Sequence, residues 1–414
     1  MITFHRIIKH ASKLEFWIVY AETCFDNGIF PGNSESEEVE DSQFSTDHYA
    51  VSGRQGSPGW DEIHIDEEAE EIDWSIEADI VGITFHTPSA FHAYDIAARI
   101  RSRGICVALG GPHVTLLPEE ASQHADVIFI GEAEGLWEEF LKSFETQSHL
   151  NIYRQAYTPS LENIPISRKE LFHRNDLTNG ALFATRGCPS QCDFCTIAVM
   201  YRHKPRKRPI AEVAAEYASF KGKVIIFWDN NIAGNLEYAK GLFRAITPYR
   251  KWWSCQASIH AGRDTEFLEL AAESGCKQLF LGLESISQKS MAEVNKGFNR
   301  VDEYYELIER IHSYGIAVQV GIVFGFDHDT PNVFGDTVDF LEKAGVQNAT
   351  FNILTPFPGT RSFQKLHVEG RILTRDWRRY NSREDVVYQP KQMSVAELLA
   401  GFRHANERFY SIQV

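Results

Sequence analysis

No stretch of this 414-residue chain approaches the roughly 20 consecutive apolar residues that a bilayer-crossing helix needs. Met1-Ile2-Thr3-Phe4-His5-Arg6 likewise opens without the apolar core of a signal peptide. No membrane span is expected, and the chain reads as cytoplasmic. Basic residues are in deficit, 41 Lys and Arg against 57 Asp and Glu, for a net charge of −16. That balance argues against nucleic acid as a partner, because duplex binding rests on neutralising phosphates. Cysteine is sparse and odd in number: of seven, Cys24, Cys106, Cys255 and Cys276 are scattered without a pairing rhythm. This argues against a disulfide framework and for a reducing compartment.

What is present is the composition of a soluble globular protein, 43% hydrophobic and 24% charged, at a length that suggests two domains. Residues 1–150 read as a doubly wound, Rossmann-like α/β domain. Leu14 to Tyr20, Glu62 to Ile65, Ala78 to Thr84, Cys106 to Leu109 and Asp126 to Ile130 are its strand candidates, with a helix from about Ser89 to Arg103 and another from about Pro118. Asn27 to Gly59, rich in Gly, Ser, Pro and acid, reads as a loop or insertion. Residues 151–179 look like a linker. From 180 to 355, six strand-helix alternations place strands near 181–185, 223–228, 253–258, 278–284, 316–324 and 349–354. That spacing is right for an incomplete (β/α)6 barrel, with active residues at the C-terminal ends of its strands. Residues 356–414 do not continue the alternation and read as a C-terminal cap over the barrel's open side, ending in a helix from about Val395 to Tyr410.

Directly after the first barrel strand come Cys188, Cys192 and Cys195, spaced C-x3-C-x2-C in the loop Arg186-Gly187-Cys188-Pro189-Ser190-Gln191-Cys192-Asp193-Phe194-Cys195. Three thiolates on one loop can hold three irons of a [4Fe–4S] cube and leave the fourth without a protein ligand. The alternatives are a zinc knuckle, for which His203 is a candidate fourth ligand, and buried structural cysteines.

The spacing, with Phe194 just before the third cysteine, resembles the cluster loop of the radical S-adenosylmethionine (radical SAM) enzymes. The resemblance implies that SAM chelates the free iron and that one electron splits its sulfonium to give a 5′-deoxyadenosyl radical. It also assigns work to the strand ends. Asp229, in Asp229-Asn230-Asn231, matches an acid/amide turn after the second strand, which a plain turn explains equally well. Gln256 and Ser258 share a face of the third strand and are candidates for the methionine carboxylate. Glu284 is a candidate for the ribose or ammonium group, or else for an ion pair with a barrel lysine. Gly321 and Gly325 match the strand against which adenine rests, where a flat ring needs a backbone without Cβ. Arg202 to Arg208 is the one dense basic run, either solvated surface or a landing patch for reduced flavodoxin or ferredoxin as electron donor.

Val81 to Thr84, Gly110 to Thr115, Pro118-Glu119-Glu120 and Gly131-Glu132-Ala133-Glu134, followed by the barrel, resemble the cobalamin-binding-domain branch of that family, which includes C-methylases and the anaerobic cyclase of magnesium-porphyrin synthesis. Two departures weigh against cobalamin: the acidic stretch near the N-terminus, and the absence of an Asp-x-His-x-x-Gly cobalt-ligating motif. The resemblance implies hydrogen abstraction from an unactivated carbon of a planar, tetrapyrrole-type small molecule, for example oxidation of the bacteriochlorophyllide C7 methyl to formyl. Tyr201, Trp228, Trp252 and Trp253, near predicted strand ends, suit a flat ligand or a core. The rivals are a cobalamin-dependent C-methyltransferase, a sugar or aminoglycoside dehydratase, which needs acid/base carboxylates near its substrate and to which the sequence alone does not allocate Asp229, Asp327 or Glu284, and a non-catalytic iron–sulfur electron-transfer protein.

Overall fold

The computed structural model describes residues 14–21, 60–65, 67, 71–75, 77–156, 158–164, 180–201 and 204–411. They divide at Gly180 into two compact units.

In the first unit, β1 (Leu14–Ala21), β2 (Trp60–Ile65), β3 (Ile80–Phe85), β4 (Cys106–Gly110), β5 (Val127–Ile130) and β6 (Ile152–Arg154) form one parallel sheet in the order β2-β1-β3-β4-β5-β6. β3 and β5 are almost wholly buried, which is why they are near-continuous apolar runs with no alternation. The strand order reverses between β1 and β3, so a ligand crevice belongs at the carboxyl ends of those strands. The insertion read at Asn27 to Gly59 lies outside the described residues. The stretch read as a linker begins with β6, hydrogen-bonded in register to β5. Three residues with only Tyr153 buried show no periodicity from which a strand could be read.

In the second unit, β7 (Ala181–Leu182), β10 (Val224–Phe227), β11 (Trp252–Ala257), β12 (Cys276–Glu284), β13 (Ala317–Phe324) and β14 (Asn348–Ile353) form an open parallel sheet in the order β14-β13-β12-β11-β10-β7. The expected six strands are all there, and among the described residues they do not close. Alternation sorts their side chains. Cys255, Ala257, Leu279, Leu281, Leu283, Val318, Val320 and Ile322 are buried toward the helices, whereas Ser254, Gln256, Gln278, Phe280 and Gln319 line the inner face. A two-rung antiparallel ladder, β8 (Thr185–Arg186) with β9 (Arg206–Lys207), stands beside the sheet.

The last helix, Val395–Tyr410, starts at a capping box of Ser394 and Glu397. It packs on the helix-bearing side of β14, with Phe409 against Phe351 at 5.6 Å and the Tyr410 hydroxyl donating to the Ala349 carbonyl at 2.6 Å. It therefore joins the outer helical layer, where the sequence suggested a cover for the open side.

Candidate active site

The cysteine loop is held from the end of β10 by three consecutive side chains. Asp229 is fully buried. Its Oδ2 accepts from the Ala184 N–H at 3.0 Å, and its Oδ1 accepts from the Thr185 N–H and from Thr185 Oγ1. Burial pushes its carboxyl up to about 6 against the pull of these donors. Asn230 Oδ1 accepts from the Gly187 N–H at 2.9 Å. Gly187 sits at φ +87°, where an added Cβ would press on the Tyr201 side chain at 3.2 Å. Asn231 Nδ2 donates to Cys188 Sγ at 3.7 Å, and its Oδ1 accepts from the Ser258 N–H at 3.0 Å and hydroxyl at 3.2 Å. Asp229, a candidate cofactor ligand by sequence, has both carboxylate oxygens hydrogen-bonded to Ala184 and Thr185, just ahead of the loop. Asn231, named in the sequence only as part of the turn, is the residue that touches a thiol.

Cys192 is buried and Cys188 and Cys195 are half-buried. Burial pushes the Cys192 thiol up to about 12, opposed by the Lys296 ammonium. Burial also raises Cys195, against hydrogen bonds from the Ala198 and Ile197 N–H groups. Cys188 lies close enough to disfavour ionisation of both Cys192 and Cys195, and Cys195 does the same to Cys192. Among the described residues, no three His, Cys, Asp or Glu side chains converge on a single metal ion. His203, the fourth ligand of the zinc alternative, lies outside the described residues. Three adjacent thiols, two of them receiving N–H groups at sulfur, fit an iron–sulfur cube bound through three of its irons, with potential tuned by hydrogen bonds to sulfur.

The remaining candidates separate. Gln256 lines a solvent-open cleft of about 310 Å³ on the inner face, with Ile226, Trp228, Ser254, Gln278 and Phe280. Ser258, besides its bonds to Asn231, meets His260 Nε2 at 3.0 Å. Glu284, at φ +65°, takes the ion pair weighed as its alternative, with Lys296 Nζ at 2.6 Å. Both partners are nearly buried, and Lys296, which also faces Cys192, was missed in the sequence. Beside Gly321, the space of a Cβ is met by the Phe280 ring at 3.0 Å and Glu284 Oε2 at 4.0 Å. Gly325, at φ +104°, lacks a Cβ for a different reason than a resting adenine. Tyr388, whose hydroxyl donates to the Gly325 carbonyl, and Leu398 already fill that volume. Phe194 packs toward Phe326 at 6.1 Å.

Asp327 is not an available acid or base either. Burial alone would raise its carboxyl, but hydrogen bonds from Arg371 (2.6 Å) and Lys365 (2.9 Å) hold it well below the usual carboxylate range. In the basic run, Arg206 and Lys207 form β9, and Arg208 is buried in an ion pair with Glu216 at 2.6 Å. A landing patch there is reduced to Lys204 and Lys207, with Arg202 and His203 outside the described residues. Trp253 is core, 4.8 Å from the Phe243 ring, and with Trp252 it opens β11 at the far end from the cysteines. Trp228 alone of the three tryptophans reaches the cleft.

At the carboxyl edge of the first sheet, Gly111 sits at φ +91°, where a Cβ would collide with Thr84 and the Phe85 backbone. Ser89, just past β3, has a buried hydroxyl without a hydrogen-bond partner among the described residues. A tight glycine turn and an orphaned hydroxyl at the switch-point edge fit a bound ligand such as cobalamin. His113 does not offer itself as a cobalt ligand: it is fully buried, with its ring nitrogens 3.2 Å from Thr87 Oγ1 and Glu120 Oε1.

Residues 182–341 match the radical SAM superfamily, and residues 57–141 match the B12 binding domain. The chain is 31% identical over 349 residues to bacteriochlorophyllide d C-12(1)-methyltransferase of Chlorobaculum tepidum, covering 80% of this chain and 75% of that protein. It belongs to the radical SAM superfamily, in the branch that carries a B12-binding domain. Bacteriochlorophyllide d C-8(2)-methyltransferase of the same organism is also 31% identical, over 78% of this chain and 76% of its own length. Among solved structures, the radical SAM methyltransferase TsrM from Kitasatospora setae, with cobalamin and a [4Fe–4S] cluster bound, superposes with a TM-score of 0.62 at 16% identity. That match covers 72% of this chain and 66% of TsrM and shows a shared fold. As a radical SAM enzyme the chain uses a [4Fe–4S] cluster and SAM, and its B12-binding domain admits cobalamin.

Proposed function

We propose that this chain is a cobalamin-dependent radical SAM methyltransferase that methylates an unactivated carbon of a planar, tetrapyrrole-type substrate. One observation carries the reading. A three-thiol loop on an open six-stranded sheet is joined to a B12-binding domain, in a chain similar over four-fifths of its length to an enzyme named for methylating a bacteriochlorophyllide. The relatives favour methyl transfer over the oxidation of a C7 methyl. Dehydration of a sugar is disfavoured by the engagement of Asp229, Asp327 and Glu284 in other bonds.

When bound, the cluster supplies a low-potential electron to SAM, and cobalamin supplies a carrier for the methyl group. The residues have separate tasks. Cys188, Cys192 and Cys195 hold three irons, and Asn231 fixes Cys188 and tunes its sulfur. Gln256, Ser258 and the Glu284–Lys296 pair present polar groups to SAM from the strand ends, and Gly321 and Phe194 shape that surface. Asp229 and Gly325 act one step removed, the first on the loop and the second on the C-terminal segment. Reduced flavodoxin or ferredoxin is the proposed electron donor.

Mass balance defines the test. Methyl transfer from SAM leaves S-adenosylhomocysteine, whereas reductive cleavage leaves methionine and 5′-deoxyadenosine. Anaerobic, cluster-reconstituted protein with hydroxocobalamin, dithionite, SAM and bacteriochlorophyllide d is expected to form both products and a substrate heavier by one methylene. 5′-Deoxyadenosine with an oxidised, unmethylated substrate would instead restore the C7-type reaction.

A further inference from the structure

The turns leading from each helix into the next strand of the second unit gather at the N-terminal edge of its sheet, opposite the cysteine loop. In a chain of net charge −16, this edge is basic. Lys221 and Lys223 precede β10, Arg250 and Lys251 precede β11, Lys277 is the second residue of β12, and Lys343 closes the helix before β14. Among the described residues of these turns the acids are Glu273 and Glu342, and Glu342 lies 3.6 Å from Arg408. Lys221, Lys223, Arg250 and Lys277 are exposed. Lys251 is turned inward, donating to the Tyr217 carbonyl at 2.9 Å.

Large side chains stand among these cations: Trp252 is 57% exposed, Tyr249 41% and Val224 38%. Val224 and Trp252 are paired in register, and Lys277 Nζ lies 5.7 Å from the Trp252 ring centroid. The Trp252 indole lies outside the core, where the neighbouring Trp253 is buried. Amphipathic aromatic rings interleaved with lysines are what the headgroup layer of an anionic membrane selects, the rings settling at the interface and the cations on phosphate.

We propose that this edge docks on the surface of an anionic phospholipid bilayer, with Trp252 and Tyr249 at headgroup level and Lys221, Lys223, Arg250 and Lys277 against lipid phosphates. An acidic electron carrier is the poorer occupant. β12 runs for nine residues, which at ~3.3 Å per residue sets the edge about 30 Å from the cysteine end of the sheet, too far for direct electron transfer. The proposal stands independently of the reaction catalysed.

Co-sedimentation of the full chain with vesicles tests it, using phosphatidylcholine alone and phosphatidylcholine mixed with phosphatidylglycerol. Binding is expected only to the mixed vesicles, and it should fall as salt is raised. Lys221→Glu/Lys223→Glu/Lys277→Glu should weaken it at least about tenfold. Trp252→Ser should weaken it several-fold, while Trp252→Phe retains most of it, and circular dichroism should show each variant folded. No binding to the mixed vesicles, equal binding to neutral ones, equal binding by the folded charge-reversed variant, or displacement of vesicles by an acidic flavodoxin seated on this edge would each overturn the proposal.

Discussion

Asn231 bridges two loops through one amide: its nitrogen donates to Cys188 Sγ at 3.7 Å while its oxygen accepts from the Ser258 N–H at 3.0 Å. Hydrogen bonds to cluster-bound sulfur favour the reduced, more negative state, so their loss lowers the potential. Asn231→Ala is expected to bind a full complement of iron yet require a stronger reductant, and Asn231→Asp to require a still stronger one. Redox titration followed by electron paramagnetic resonance checks this. An unchanged potential in both variants would place the amide outside the cluster's influence.

Asp229 serves the loop from beneath, and its removal strands the buried N–H groups of Ala184 and Thr185. Asp229→Ala should cost about 3 kcal/mol or more in denaturant unfolding. Asp229→Asn should recover part of that loss, because it keeps one acceptor. If Asp229→Ala unfolds like the parent but loses affinity for SAM, the residue is a cofactor ligand after all.

Much of this architecture was legible in the sequence. The strands of the open sheet announced themselves as short apolar runs at near-even spacing, and the cysteine spacing singled out the loop that follows the first of them. What was not legible depended on where a side chain points after folding. An aspartate at a strand end reads the same whether it faces a cofactor or, as Asp229 does, the backbone of the preceding strand. The basic run concealed β9 because two residues show no period. Gly325 looked like a platform for a ring, but its reason is Tyr388, 63 residues away. Lys296 lies 12 residues beyond Glu284, past a helix, and nothing local announces the pair.

Gly325 separates the two explanations for a glycine at the end of β13. Ala at φ +104° would also meet Tyr388 and Leu398, so Gly325→Ala should lower stability by about 2–4 kcal/mol. The KM for SAM should move little in whatever fraction remains folded. A stable variant with a greatly raised KM for SAM would reinstate contact with the adenine.

The Asp327 carboxylate ties Arg371 and Lys365 of the C-terminal segment to the end of β13. Its pKa is depressed on folding, so its contribution is complete above the unfolded value near 4 and lost as pH falls toward the folded one. Asp327→Asn should therefore lower Tm clearly at pH 7, and the gap to the parent should narrow steadily below about pH 4. Thermal unfolding across pH reads this directly. A gap that widens toward acid would contradict the ion-pair account.

The central claim is that Cys188, Cys192 and Cys195 leave one iron open for SAM in an enzyme that also moves a methyl group. The most direct measurement is chromatography of anaerobic reactions with isotopically methyl-labelled SAM, hydroxocobalamin and bacteriochlorophyllide d, comparing the parent with Cys192→Ala. The parent should yield 5′-deoxyadenosine, S-adenosylhomocysteine and labelled methylated product, and Cys192→Ala none of the 5′-deoxyadenosine. Equal 5′-deoxyadenosine from both proteins, or label that never reaches the substrate, would contradict the account.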